Sequence, residues 1–75
     1  MLSGAELRAA QKELASLERR LAKLQEQTSA QRAALVEHDQ SDYVGLAAKM
    51  EHITALEAEA EELEGRWFEL TEQVG

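Results

Sequence analysis

From Leu7 onward the apolar positions recur in alternating steps of three and four: Leu7, Ala10, Leu14, Leu17, Leu21, Leu24, then Thr28 and Gln31 in the same rhythm, and Leu35. A second series keeps the same steps through Leu46, Lys49, Ile53, Leu56, Ala60, Leu63, Trp67, Leu70 and Val74, with Met50 beside its one charged position. This spacing places each series on one stripe of a helix and predicts two coiled-coil seams. Between them lies VEHDQSDYVG, residues 36–45, where the rhythm stops and polar turn formers collect.

The ends of the two helices are also written locally. Ser3 followed by Glu6 has the spacing of a capping box, so the first helix is expected to start near Gly4. Asp39, Ser41 and Asp42 all carry oxygens able to accept hydrogen bonds from the free amides of a following helix, which makes HDQSD a turn plus N-cap. The pattern predicts a helix over about 4–37, a turn over about 38–41 and a second helix over about 42–73, in one hairpin domain spanning 1–75. The fold class is all-α, a two-helix antiparallel coiled-coil hairpin, with each helix about 50 Å long.

Two registers suit a short turn, and the flanking charges discriminate between them. With Leu14 opposite Leu63, Glu13 meets Arg66 and Arg20 meets Glu59, Arg32 lies against Tyr43, and the one like-charged pair is Glu18 with Glu57. This register also sets Ala10 opposite Trp67 and Thr28 opposite Lys49. With Leu14 opposite Leu70, Arg20 meets Arg66, Glu18 meets Glu64 and Leu7 loses its partner. The first is favoured, through complementary volumes as much as through exposed ion pairs, which contribute only about 0.2–1 kcal/mol each.

Length and composition then narrow the function. A chain of 75 residues buries too little surface for more than marginal stability without assistance and has no room for an enclosed active site, so no enzymatic activity is expected of it. Two helices leave part of each seam open, and weak self-association is expected. The absence of cysteine excludes disulfides and thiolate metal sites. No apolar run approaches the roughly 20 residues that span a bilayer, and the first residues lack the basic start and apolar middle of a secretion signal, so a soluble, cytoplasmic chain without membrane contact is expected.

Three segments resemble a known family: LSGAELRAAQKELASLERRLAKL, the polar turn HDQSDY, and the closing ELEGRWFELTE. They look like the C-terminal coiled-coil domain of ABC-F ATPases of the Uup type, with KELASLERR and the Arg66-Trp67 pair as the most telling parts, and the resemblance covers essentially the whole chain. It implies a parent with two ATP-binding cassettes and no membrane domain, working with ATP and Mg at the ribosome or in DNA transactions. The hairpin is then implied to be a nucleic-acid-binding appendage, touching DNA or ribosomal RNA and the parent's ABC domains. The sequence holds no GxxxxGK phosphate loop, so ATPase chemistry falls outside these residues and no cofactor is expected here.

A net charge of −7 is more acidic than a nucleic-acid binder is expected to be, but the charge is unevenly spread. The first helix holds Arg8, Lys12, Arg19, Arg20, Lys23 and Arg32 against five acidic residues, whereas residues 42–75 hold only Lys49 and Arg66 against nine. Arg8, Lys12, Arg19 and Lys23 fall on one outward stripe, where a phosphate backbone could be tracked with release of condensed counterions. The plainer reading is a solvated face with intrahelical pairs to neighbouring glutamates. Phe68 points away from the seam, and an exposed phenylalanine marks a docking surface. It anchors the alternative function, a protein-interaction or spacer hairpin. His38 and His52 lack a surrounding ligand set, and Glu61 and Glu62 lack a cleft that would perturb their acidity, so neither a metal site nor acid/base chemistry is expected. Gly65 costs about 1 kcal/mol in a helix interior relative to alanine, and either a close approach or a bend would account for it.

Overall fold

A computed structural model describes residues 2–75, so Met1, the first residue of the expected 1–75 domain, lies outside the described residues. Two helices follow one another, α1 (Gly4–Glu37) and α2 (Tyr43–Val74), and pack together as an all-α hairpin about 58 × 14 × 14 Å. The capping box starts α1 as its spacing predicts. Ser3 Oγ accepts from the Glu6 amide at 3.1 Å, and the Ser3 amide donates to Glu6 Oε1 at 3.3 Å. Two of the four amides left free at a helix start are thereby satisfied.

All eighteen positions of the two seam series are buried or half-buried. The best covered are Ala10, Leu24, Ile53, Leu56 and Leu70, with Leu24 wholly inaccessible. Removing a leucine side chain from water stabilises by roughly 1.5–3 kcal/mol, so these few positions supply much of the force that holds the helices together. Near the turn the seam holds the polar residues Thr28, Gln31 and Lys49, all half-buried, and cohesion is correspondingly weaker there.

The turn is more tightly wired than its three N-cap candidates alone would suggest. Asp39 accepts from both the amide and the hydroxyl of Ser41, at 3.0 and 2.7 Å. Gln40 reaches back and donates its side-chain amide to the carbonyls of His38 and Leu35, at 2.7 and 3.2 Å, covering the open end of α1. Asp42 is the N-cap of α2, accepting from the Gly45 amide at 3.0 Å through Oδ1, while its Oδ2 pairs with His38 Nε2 at 2.8 Å. Asp42 is one of the three N-cap candidates of the sequence; the helix it caps begins at Tyr43, one residue after the expected 42, and continues to Val74, one past the expected 73. A methyl group on Gly45 would overlap the Asp42 carboxylate and the His38 ring, so the residue there must be glycine for the His38–Asp42 contact to form.

This turn sets the register. It is centred on Gln40, midway between the last residue of α1 and the first of α2. With equal rise along both helices, Leu24 comes level with Leu56 and Ala10 with Leu70. Those two pairs are four of the five buried residues, and Ala10 and Leu70 line a common groove. The register therefore lies between the two that the charges distinguish. One flank shows the Glu13–Arg66 and Arg20–Glu59 pairs of the first, and the other places Glu18 and Glu64 on one groove, as the second would.

Candidate nucleic-acid interface and the two flanks of the hairpin

Seven of the eight lysines and arginines divide into two groups. Arg20, Arg32 and Arg66 are each bound to carboxylates of α2. Arg8, Lys12, Arg19 and Lys23 are exposed and enter no ion pair among the described residues, so the intrahelical pairs with neighbouring glutamates do not form. Their intervals of four, seven and four keep them within a narrow arc of α1, over about 22 Å of axis. Lys49, the eighth basic residue, is half-buried in the seam. The helix thus holds four unpaired positive charges in a row on the outer face of its N-terminal half, and Glu26 and Glu37 end the stripe toward the tip.

On the Arg66 flank, charge pairing is orderly. Arg66 donates to both oxygens of Glu13, at 2.8 and 3.0 Å, and to Glu69 at 3.2 Å; Arg20 donates to Glu59 at 2.7 Å. The hydrogen bonds from Arg66 hold the Glu13 carboxyl below its ordinary range, and those to Glu13 and Glu69 raise the Arg66 guanidinium above its own. At the turn, the Ser41 hydrogen bonds lower Asp39, and the Gly45 amide followed by His38 lowers Asp42.

The opposite flank departs from expectation in three ways, and two have one cause. Arg32 does not stack on Tyr43, which is 79% exposed, but donates to Glu57 at 2.7 Å. Trp67 does not cover Ala10; it lies along a groove with Glu18, Leu21, Ala22 and Gln25. Long helical side chains lean toward the N-terminus of their own helix. In an antiparallel pair that carries Arg32 away from the tip, toward Glu57, and carries Trp67 toward the tip, onto Leu21. The third departure follows from the first: Glu57 is engaged by Arg32 and is no like-charged partner for Glu18, which instead lines one groove with Glu64.

Phe68 forms one wall of that groove, 61% exposed, with its ring 5.2 Å from Trp67 in an edge-to-face arrangement of 78°. Gly65 has nothing within 4 Å of where a methyl would sit, so no part of the hairpin approaches it closely. His38 is tied to Asp42, His52 is exposed, and no three His, Asp or Glu side chains gather as metal ligands among the described residues. No described helix is long and apolar enough to cross a membrane. The sequence stripe named the four free cations and Phe68. What it missed was the Glu18–Glu64 groove, whose signal was present in the second of the two registers.

Neither the curated proteins nor the solved structures yield a match to the chain. The family model described as "ABC transporter C-terminal domain" matches residues 6–72, from the first turn of α1 to the last of α2. That match takes in the first seam, the second as far as Leu70, the turn, the free cations and the Trp67–Phe68 pair, and the chain belongs to the ABC transporter C-terminal domain family.

Proposed function

We propose that this hairpin is the non-catalytic C-terminal appendage of a soluble, cytoplasmic, duplicated ABC ATPase of the ABC-F, Uup type, and that it binds the phosphate backbone of DNA or ribosomal RNA through Arg8, Lys12, Arg19 and Lys23. ATP and Mg act in the parent's cassettes, not in these residues. The observation that carries the reading is the segregation of charge: every exposed cation left unpaired among the described residues lies on one stripe of α1. Membership of an ABC C-terminal family supports the parent, and the acidic outer face of α2 turns a polyanion toward the α1 side.

Binding of this kind is weak, nearly independent of sequence and strongly reduced by salt. With three or four phosphates neutralised on duplex DNA, the log–log salt slope is about −3 to −4, and each Lys→Ala or Arg→Ala change on the stripe lowers its magnitude by about 0.9. Fluorescence anisotropy of labelled duplex and single-stranded DNA and RNA at two salt concentrations, with wild type beside the quadruple alanine variant, measures this. Equal affinity for the two proteins, or no binding by either at low salt, overturns the reading.

A further inference from the structure

Three neighbouring depressions lie along the Trp67 flank, adjoining at Gln25 and Glu57, with the Arg32–Glu57 pair crossing between the helices near the turn. Their α1 wall runs from Glu18 to Leu35 and their α2 wall from Met50 to Phe68, about 26 Å along each helix, or roughly five helical turns. At the end away from the turn the floor is apolar, made by Leu21, Ala22 and Trp67, with Phe68 standing exposed at its edge. Glu18 and Glu64 occupy opposite walls of this section, and neither has an ion-pair partner among the described residues. No cation among the described residues pairs with them: Arg20 and Arg66 are spent on the other flank, Arg32 on Glu57, Lys49 lies in the seam near the turn, and the free stripe lies on the outer face of α1.

We propose that this groove is a docking site for a cationic amphipathic helix of a protein partner, whose apolar side chains pack on Trp67, Phe68 and Leu21 while a lysine or arginine sits between Glu18 and Glu64. Three features select that occupant. A groove between two antiparallel helices has the shape that accepts a third helix, through anchors spaced three and four residues apart. The small residues Ala22 and Ser29, one heptad apart on the α1 wall and both exposed, let a backbone come close. Two carboxylates without ion-pair partners on opposite walls of one depression repel an anion and are complementary to a cation, which distinguishes this partner from the nucleic acid proposed for the outer face of α1. The two surfaces adjoin on α1 but share no residue, so substitutions can disable either one alone.

Trp67 is the only tryptophan in the chain and reports occupancy directly. The probe is a synthetic amphipathic helix of about six turns with leucine at i, i+3, i+4 and i+7 and lysines flanking that face, set beside a twin in which glutamate replaces lysine. The expected result is a saturable blue shift of Trp67 emission with the lysine peptide and none with the glutamate twin. Phe68→Ser, and separately the double change Glu18→Gln with Glu64→Gln, weaken binding about tenfold, because anchors and desolvated charges at the centre of an interface dominate its energy. The double change Glu51→Gln with Glu72→Gln removes the same charge from the outer side of α2 and leaves affinity unchanged. Circular dichroism establishes that each variant keeps its helices; all four glutamates and Phe68 are exposed, so the seam is untouched. Equal losses from the two double variants reduce the effect to net charge and overturn the site. A blue shift produced by raising protein concentration alone, with dimer in sedimentation, makes a second copy the occupant and also overturns it. Loss of peptide binding with intact salt-dependent nucleic-acid binding, or the reverse, identifies which of the two surfaces fails.

Discussion

The two flanks of the hairpin are built from the same seam and end in opposite conditions. On the Arg66 flank, long charged side chains close over the seam in complementary pairs, Glu13 and Glu69 with Arg66 and Glu59 with Arg20. On the Trp67 flank, one such pair forms near the tip, Arg32 with Glu57, and farther along two carboxylates without ion-pair partners line a depression with an apolar floor. The difference teaches that charge along a coiled coil does two separate things. Matched pairs help to fix alignment but add little stability at exposed sites, whereas an unmatched pair beside exposed aromatic surface leaves an interaction surface unsatisfied.

The largest effect breaks both flanks together. Leu24 is fully buried in the seam they share, and Leu24→Ala costs about 3 kcal/mol by lost burial and the cavity left behind. In a domain of this size that is a large share of the total, and denaturant unfolding followed by circular dichroism should show the midpoint fall sharply. A midpoint close to wild type would mean that the helices realign to fill the gap.

A smaller effect separates the flanks by pH. The Glu13 carboxyl is held below its ordinary value by Arg66. A carboxyl depressed in the folded state contributes stability that is fully present above the unfolded value, about 4.3, and lost as pH falls through it toward the folded one. Glu13→Gln therefore lowers the melting temperature at pH 7, and the deficit against wild type closes as pH falls through that range. Glu64→Gln, which removes a charge facing Glu18, gives no fall at pH 7. Thermal melts of the three proteins from pH 7 to pH 3 test this; a deficit for Glu13→Gln that persists at pH 3 would mean lost packing, not lost charge.

The smallest effect turns one flank into the likeness of the other. Glu64→Lys supplies a cation opposite Glu18, forming an exposed pair worth roughly 0.2–1 kcal/mol. The melting temperature should rise slightly and, at the same time, binding of the cationic peptide to the groove should disappear. A variant that still takes the peptide as wild type does would show that Glu64 plays no part in the groove.

Much of the hairpin was legible in the chain because its determinants are local. Heptad spacing names the seam from Leu7 to Val74, and every one of those positions is covered in the fold. Ser3 and Glu6 start α1 by bonding to each other, with no help from distant residues. The free cations Arg8, Lys12, Arg19 and Lys23 share a stripe because four- and seven-residue intervals keep one azimuth on any helix. What only the tertiary structure decided is the alignment of one helix against the other. That depends on where the reversal is centred, which the Asp39–Ser41, Gln40 and His38–Asp42 contacts settle jointly at Gln40. It depends also on the lean of side chains toward their own N-termini, which sends Arg32 to Glu57 and Trp67 to Leu21. Neither is a property of spacing along one helix, so the groove between Glu18 and Glu64 exists only once the two helices lie side by side.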